Sequence, residues 1–206
     1  MFITFEGIDG SGKSTQVSRV HDRLVAEGRR VLLVREPGST ALSEGIRGLL
    51  LDSDHPIHPF AEMLLFSAAR TQLVAERIRP ALEAGVVVLC DRFFDSTTAY
   101  QGAGRGLADL AWLSDFHRRV TGGLVPDRTY LFSLPVDTAL VRRGHRTEDR
   151  MERAGEAFQR IVAGAYDQLA LEEPSRFLVL DAEQDVEMLH AAVWADLRLL
   201  LPGGTA

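Results

Sequence analysis

The stretch from residue 7 to residue 14, GIDGSGKS, decides the fold of this chain because it fits the pattern G-x-x-x-x-G-K-[ST]. The run FITFE at residues 2–6 precedes it and predicts a β-strand, and a helical pattern follows it over residues 13–27. Glycines let the backbone curl so that its N–H groups point inward at an anion, and the helix N-terminus adds its dipole. The sequence therefore predicts a phosphate-binding loop and not a plain glycine-rich turn.

The loop contains the only lysine of the chain, Lys13, since the other 22 of its 23 basic residues are arginine. A lysine is a compact charge on a flexible stem, whereas arginine is a planar fork, so the two are not interchangeable in a narrow loop. We expect Lys13 to reach the β- and γ-phosphates of ATP and the Ser14 hydroxyl to bind Mg²⁺. The residues predicted to bind ATP are Gly7, Ile8, Asp9, Gly10, Ser11, Gly12, Lys13, Ser14 and Thr15.

A second acidic group is predicted where another apolar run ends. Residues 86–90, VVVLC, are followed by Asp91 and Arg92. An aspartate that ends a strand often only forms a turn. An acid and a base together at the carboxyl edge of a parallel strand, where α/β folds bind ligands, favour a functional pair instead. We expect Asp91 to face the metal ion.

Short apolar runs alternate with longer segments of helical period, which predicts an α/β fold with a parallel sheet flanked by helices. Residues 1–201 are predicted to form one domain, followed by a disordered tail at 202–206. The predicted strands are 2–6, 30–35, 86–91, 128–133 and 176–180. The predicted helices are 13–27, 41–51, 60–84 (with a bend at Pro80), 109–121, 136–143, 152–172 and 185–200. The predicted loops are 52–56, 101–106 and 122–123.

The composition excludes several classes of protein. A formal net charge of −6 argues against a general nucleic-acid-binding protein, which would carry a basic field. No run of residues approaches the roughly 18 apolar residues of a membrane span, and the N-terminus does not read as a secretion signal. The single cysteine, Cys90, is predicted to be a buried packing residue and fits a reducing compartment. We therefore expect a cytoplasmic protein without nucleic-acid or membrane partners.

Five motifs occur in order along the chain: FEGIDGSGKST (5–15), REPG (35–38), FSAAR (66–70), DRF (91–93) with Ser96 and AYQG (99–102), and DRME (149–152). Together they resemble those of bacterial thymidylate kinases, and the resemblance runs from Phe2 to about Leu171. It implies a three-layer P-loop NTPase fold with a five-stranded parallel sheet, a mobile lid near 142–152 and a homodimer. It also implies transfer of phosphate from ATP to dTMP to give dTDP, in dTTP synthesis.

The resemblance also implies roles in binding dTMP. Phe66 would stack on thymine, Arg70 would hydrogen-bond a thymine carbonyl, and Arg92 would hold the acceptor phosphate. Asp9 would face the sugar 3′-hydroxyl or a metal-bound water, which adds it to Ser14 and Asp91 in the predicted metal site. The other members of the predicted dTMP site lie along the sugar, the base edge and the border of the pocket: Glu36, Pro37, Ser96, Thr97, Tyr100 and Gln101.

The spacing of Phe66 and Arg70 supports these roles independently. Residues four apart on a helix share one face, so a ring and a guanidinium can meet one planar base. The alternative is that Phe66 is a core residue and Arg70 is solvated.

The transition-state arginine is predicted to lie in the lid. Members of this family carry it either in the phosphate loop or in the lid, and position 10 of the loop is Gly here. The lid segment 142–150 is rich in arginine, although a charge run is usually a solvated face. The predicted catalytic residues are Lys13, Arg92, Arg143, Arg146 and Arg150.

Two residues depart from the family pattern. Ser39 stands where a second glycine is usual, and Ser133 stands where a strand-ending aspartate is usual.

Three other functions would require features that differ from these. A deoxynucleoside kinase would phosphorylate a hydroxyl and would need a base there instead of the Arg92 clamp. A GTP-driven switch is excluded because its guanine-reading Asn-Lys-x-Asp cannot occur in a chain without asparagine. A regulatory module that only binds ATP would not turn over dTMP.

Overall fold

The computed structural model of the protein describes residues 1–51, 56–144 and 150–201. Its five strands are all parallel and form one sheet, in the α/β architecture that the sequence predicts. Every predicted strand is confirmed, and no strand end moves by more than one residue. The strands are β1 Phe2–Glu6, β2 Val31–Arg35, β3 Val87–Asp91, β4 Arg128–Ser133 and β5 Phe177–Asp181.

The sheet order is β2-β3-β1-β4-β5, so the first strand is central. The register sets Phe5 opposite Asp91 and Glu6 opposite Leu131. The carboxyl ends of β1 and β3 therefore lie side by side, and the residues that follow both strands meet at one edge of the sheet.

Helices connect the strands and cover the sheet. Asp109 and Asp185 cap the helices that begin at Leu110 and Val186 by accepting the N–H groups of Trp112 and Met188. The helices are α1 Lys13–Ala26, α2 Ala41–Leu51, α3 Pro59–Leu73, α4 Arg79–Glu83, α5 Phe94–Thr97, α6 Leu110–Thr121, α7 Val136–Arg143, α8 Glu156–Glu172 and α9 Val186–Leu200.

Successive residues of β1 point to opposite faces of the sheet, and each face has its own apolar cluster. Ile3 and Phe5 belong to a large cluster with side chains of α1, α8 and α9. Phe2 belongs to a second cluster with Cys90 and with side chains from the end of α3. Cys90 is fully buried, as predicted.

The predicted helix 60–84 is helical from Pro59 to Glu83, but it is not one regular α-helix. Residues Val74–Ile78 form a π-helical turn between α3 and α4, in which the N–H of Arg79 donates to the carbonyl of Val74. Pro80 follows at once and has no N–H to donate, so the change of hydrogen-bond spacing lies just before the proline.

Two further boundaries differ from prediction. The predicted loop 101–106 is helical as far as Gly104, because a π-helical segment, Thr98–Gly104, continues α5. The predicted helix 152–172 begins as a 3₁₀ turn, Glu152–Ala154, and Gly155 at φ 90° separates this turn from α8, which covers the rest of the prediction.

Several predicted features lie outside the described residues. They are Arg146, most of the predicted loop 52–56, the middle of the predicted lid, and the tail 202–206. Among the described residues, no helix is both long and apolar enough to cross a membrane.

Candidate active site

The phosphate loop between β1 and α1 has a backbone that only glycine accommodates at two positions. Gly7 has φ 136° and Gly10 has φ 91°. A Cβ on Gly7 would lie 2.6 Å from the carbonyl oxygen of Phe132, and one on Gly10 would lie 2.8 Å from that of Ala139. The loop is therefore pressed against the end of β4 and against α7, and it curls as the sequence predicts.

Lys13 lies over this loop. Its Nζ donates to the carbonyl oxygen of Ile8 at 2.8 Å and to Ser11 Oγ at 3.4 Å. Burial, helped by the nearby Arg92 guanidinium, lowers the pKa of Lys13 to about 8, against the opposing pull of Asp9 and other acids. The ammonium is thus poorly compensated by the protein, which suits a group that meets phosphate oxygens.

Ser14 and Asp91, two of the three residues predicted to bind a metal ion, are in contact, and the metal site itself stays a prediction. Ser14 Oγ donates to Asp91 Oδ2 at 2.7 Å, although 77 residues separate them. The described residues hold no group of three His, Cys, Asp or Glu side chains that could bind a metal alone. A hydroxyl and one carboxylate fit Mg²⁺, which binds through one or two carboxylates together with waters and substrate phosphates.

Arg92 follows β3 in a left-handed conformation, with φ 70°. Its guanidinium donates to Asp9 Oδ1 at 2.7 Å, to Ser96 Oγ at 3.1 Å and to Tyr100 Oη at 3.3 Å. Burial alone would raise the pKa of Asp9, but the charges of Arg92 and Lys13 hold it far below its usual value. Asp9 is therefore a permanent anion that fixes Arg92 next to the phosphate loop.

All ten residues predicted to bind dTMP line one cleft, which we call the inner cleft. Four further residues complete its wall. The lining residues are Asp9, Glu36, Pro37, Arg47, Leu51, Phe66, Arg70, Arg92, Phe93, Ser96, Thr97, Tyr100, Gln101 and Met151.

A buried ion pair forms the floor of the inner cleft. Arg70 Nε donates to Glu36 Oε2 at 2.7 Å, and the two side chains are 1% and 3% exposed. Arg70 Nη2 donates to the Phe93 carbonyl at 3.2 Å and to Thr97 Oγ1 at 3.0 Å. The alternative of a solvated Arg70 is excluded by its burial, and Phe66, four residues earlier, lines the same cleft.

One nitrogen of Arg70 and one oxygen of Glu36 remain without a hydrogen-bond partner. These atoms are Arg70 Nη1 and Glu36 Oε1, both buried. Burial raises the pKa of Glu36 to about 7 despite the neighbouring guanidinium. Because buried polar atoms are normally paired, this donor and acceptor are suited to a polar ligand.

A second cleft, the loop cleft, adjoins the inner cleft. Asp9, Glu36, Arg47 and Arg92 line both clefts, so the two meet at these four side chains. The loop cleft is lined by Asp9, Gly10, Gly12, Lys13, Ser14, Thr15, Arg35, Glu36, Arg47, Asp91 and Arg92. Gly7, Ile8 and Ser11, also predicted to bind ATP, do not line it, and Gly7 and Ile8 border a separate groove against α8.

The described lid arginines lie in different places. Arg143 ends α7, is 8% exposed, and contributes to the low pKa of Asp9 by its charge. Arg150 instead pairs with the buried Glu62 at 2.6 Å and donates to the Leu50 carbonyl at 2.8 Å. The structure therefore brings Arg143, but not Arg150, to the phosphate loop.

Ser39, where the family pattern has glycine, adopts the backbone of a glycine, with φ 69°. Its Oγ accepts from the N–H of Arg35 at 2.9 Å, and its own N–H donates to Glu44 at 2.7 Å. These local hydrogen bonds offset the cost of the left-handed conformation, so the loop that carries Glu36 keeps its shape.

Comparison with known proteins places this site in a family. The sequence profile described as thymidylate kinase matches residues 5–193. Thymidylate kinases of Chlorobium luteolum and Deinococcus radiodurans are 47% and 48% identical to the chain, over 94% and 95% of both sequences. The chain belongs to the thymidylate kinase family. The crystal structure of thymidylate kinase from Ehrlichia chaffeensis matches this family member with a TM-score of 0.78 at 33% identity, over 96% of this chain and 98% of that one.

Sequence reasoning missed several residues of this thymidylate kinase family site. Arg47 lines both clefts and donates to the Pro37 carbonyl at 3.0 Å. Its only sequence signal is its place on the helix that follows the REPG motif. Leu51, Phe93 and Met151 line the inner cleft without any polar signature, and Glu6, buried at the end of β1, contacts the residues that hold Arg92.

Proposed function

We propose that the chain transfers the γ-phosphate of ATP to dTMP, giving dTDP, as an ATP-dependent thymidylate kinase in dTTP synthesis. The observation that carries the proposal is the meeting of two clefts at Asp9 and Arg92. One cleft is built around a phosphate loop, and the other contains an aromatic ring and a buried donor. Membership of the thymidylate kinase family supports the same substrates.

The inner cleft fits the thymine base through Phe66 and Arg70. The ring of Phe66 offers a stacking surface, and Arg70 Nη1 is a buried donor without a partner. A guanidinium has only donors, so it satisfies the carbonyl at C4 of thymine but meets the amine of cytosine donor to donor. Tyr100 and Gln101 would lie along the deoxyribose.

The chemistry requires alignment and charge neutralisation. The attacking atom is a phosphate oxygen of dTMP, already anionic at neutral pH, so no general base is assigned. Arg92, anchored by Asp9, would hold the acceptor phosphate at the junction of the clefts, and Lys13 would neutralise the donor phosphates. Arg143 or Arg146 would meet the charge that develops during transfer.

Mg²⁺ would be held by Ser14 and Asp91, whose oxygens lie 2.7 Å apart, with Asp9 nearby. When bound, the ion would supply positive charge that neutralises the phosphates of ATP.

We further propose one kinase domain over residues 1–201, with a lid at about 142–152, acting in the cytoplasm as a homodimer. The neighbouring helices α2, α3 and α6 support a dimer because each exposes large apolar side chains: Leu42, Leu49, Phe60, Leu64 and Trp112. The buried thiol of Cys90 is compatible with a reducing compartment. Light scattering tests the dimer, since Leu64→Glu should convert a species of twice the chain mass into monomer.

A coupled ADP-release assay across the four deoxynucleoside and four ribonucleoside monophosphates, with thymidine as a further acceptor, tests the proposed reaction. We expect dTMP to give the highest kcat/KM. Preference for thymidine would indicate a deoxynucleoside kinase, and no turnover of any acceptor would indicate a module that only binds ATP.

A further inference from the structure

Arg92 has a backbone conformation that residues other than glycine rarely adopt. The contacts that hold Arg92 in this conformation converge on one buried carboxylate, that of Glu6. The φ of Arg92, 70°, lies in the left-handed region, where a non-glycine residue needs support from its surroundings. The N–H of Arg92 donates to the Phe5 carbonyl. The next N–H, of Phe93, donates to Glu6 Oε1 at 2.6 Å. Glu6 therefore holds the turn that follows β3 through the N–H of Phe93.

The other oxygen of Glu6 accepts two hydroxyl groups that also contact Arg92. Ser96 Oγ donates to Glu6 Oε2 at 2.6 Å, and Tyr166 Oη donates to the same oxygen at 2.8 Å. Arg92 Nη1 donates to both hydroxyl oxygens, at 3.1 Å each. Two hydrogen-bond relays therefore run from the guanidinium through a hydroxyl to the carboxylate.

The direction of these relays depends on the carboxylate. The hydroxyl oxygens of Ser96 and Tyr166 also lie 2.8 Å from each other. An ionised carboxylate only accepts, so the hydroxyl protons point toward Glu6, directly or through the other hydroxyl, and each hydroxyl turns a lone pair toward Arg92. Glu6 is fully buried, and its ends reach three donors at once. A side chain that donates at this position would turn hydroxyl protons toward the guanidinium.

We propose that Glu6 is a positioning residue for the acceptor-phosphate arginine: it orients the hydroxyls of Ser96 and Tyr166 as acceptors for Arg92 and fixes the backbone turn that aims Arg92 into the cleft. The inference rests on the proposed function, in which Arg92 holds the phosphate of dTMP. Glu6 touches neither cleft and acts only through its neighbours.

Glu6→Gln tests the proposal because it keeps the size of the side chain and replaces an acceptor with a donor. We expect KM for dTMP to rise by about tenfold or more, the scale of a lost charge-assisted hydrogen bond. KM for ATP should change by less than about threefold, because Lys13 and the loop are untouched. Tyr166→Phe removes one relay, so it should raise KM for dTMP less. When Glu6→Gln and Tyr166→Phe are combined, the rise in KM for dTMP should be smaller than the product of the rises in the two single variants.

Asp95→Asn is the matched control. Asp95 is a second buried carboxylate, in α5 next to Ser96, and its charge adds to burial in raising the pKa of Glu6. It pairs with Arg176 at 2.7 Å and not with Arg92. Its loss should lower the Tm without raising KM for dTMP. The proposal is overturned if KM for dTMP in Glu6→Gln stays within about twofold of the wild type, or if Asp95→Asn raises it equally. If Glu6→Gln does not fold, Tyr166→Phe decides alone, and an unchanged KM for dTMP then overturns the proposal. A wild-type enzyme that does not use dTMP would instead refute the proposed function.

Discussion

The phosphate loop and the inner cleft are built in opposite ways. The loop comes from eight consecutive residues, and its shape rests on backbone dihedral angles that Gly7 and Gly10 permit. The inner cleft gathers side chains from positions 9 to 151, and its floor is the buried pair of Arg70 and Glu36. A loop of backbone N–H groups recognises any phosphate, whereas a fixed side-chain donor distinguishes one base from another. We therefore expect the rate of phosphate transfer to depend on the phosphate loop, and the selectivity for the base to depend on the inner cleft.

The largest expected effect comes from changing the loop cation. Lys13→Arg should keep the fold but lose activity by on the order of 10²-fold or more, because the wider guanidinium cannot occupy the loop without displacing phosphate. Steady-state kinetics with ATP and dTMP measure this, with circular dichroism as the check on folding. Turnover within about threefold of the wild type would remove Lys13 from its assigned role.

The next largest effects are expected at the arginines of the predicted lid, and they should differ from one arginine to another. Arg143→Ala should lower kcat by roughly 10²-fold, with a smaller change in dTMP binding, if it meets the developing charge. Arg150→Ala should chiefly lower the Tm, since it leaves the buried Glu62 with one partner fewer. The same kinetics on Arg146→Ala complete the set. Near-normal kcat in all three variants would remove the lid from the mechanism.

These contacts also show what the sequence could predict. The strands follow from short consecutive apolar runs, and the sequence predicts each strand end to within one residue. The segment Thr98–Gly104 was predicted partly as a loop because its glycines suggested a turn. Gly102 and Gly104 instead permit close packing: a Cβ on Gly102 would collide with Leu113, and one on Gly104 would lie 2.6 Å from Phe158.

The site residues that the sequence does not predict escape prediction for a common physical reason. Ten residues that line the inner cleft are predicted to bind dTMP because the family resemblance supplies them, and their binding of dTMP stays a prediction. Arg47 and Glu6 were missed because their roles come from contacts with residues distant in sequence, such as Phe93 and Ser96 for Glu6. Arg47 has the local pattern of an ordinary helix position, and Glu6, although it lies in the first motif, has no local pattern that indicates these partners.

A smaller effect is expected at the aromatic wall of the inner cleft. Phe66→Ala should weaken dTMP and dCMP about equally, by roughly tenfold, because stacking on a ring contributes about 1–3 kcal/mol for any base. The values of kcat/KM for the two nucleotides measure this. A change confined to one nucleotide would mean that Phe66 reads the base and does not only support it.

The smallest expected effect is a pH dependence at the loop. The pKa of Lys13 is lowered to about 8, so its ammonium is present below that pH and is lost as the pH rises through it. We expect kcat/KM for ATP to fall several-fold between about pH 7.5 and pH 9. Glu6 and Glu36, whose pKa values are raised to about 7, titrate below this range. A flat profile would mean that Lys13 stays charged throughout the range.

The division of labour between the two clefts is tested most directly by the ratio of kcat/KM for dTMP to that for dCMP in three proteins. The proteins are the wild type, Lys13→Arg, and Arg70→Met combined with Glu36→Gln, which removes both buried charges and avoids leaving one unpaired. We predict that Lys13→Arg lowers both values and leaves the ratio unchanged. The double variant should narrow the ratio about tenfold, chiefly by damaging dTMP, since an unpaired buried polar group costs about 1–3 kcal/mol. A ratio that shifts in Lys13→Arg, or that stays at the wild-type value in the double variant, would contradict the account.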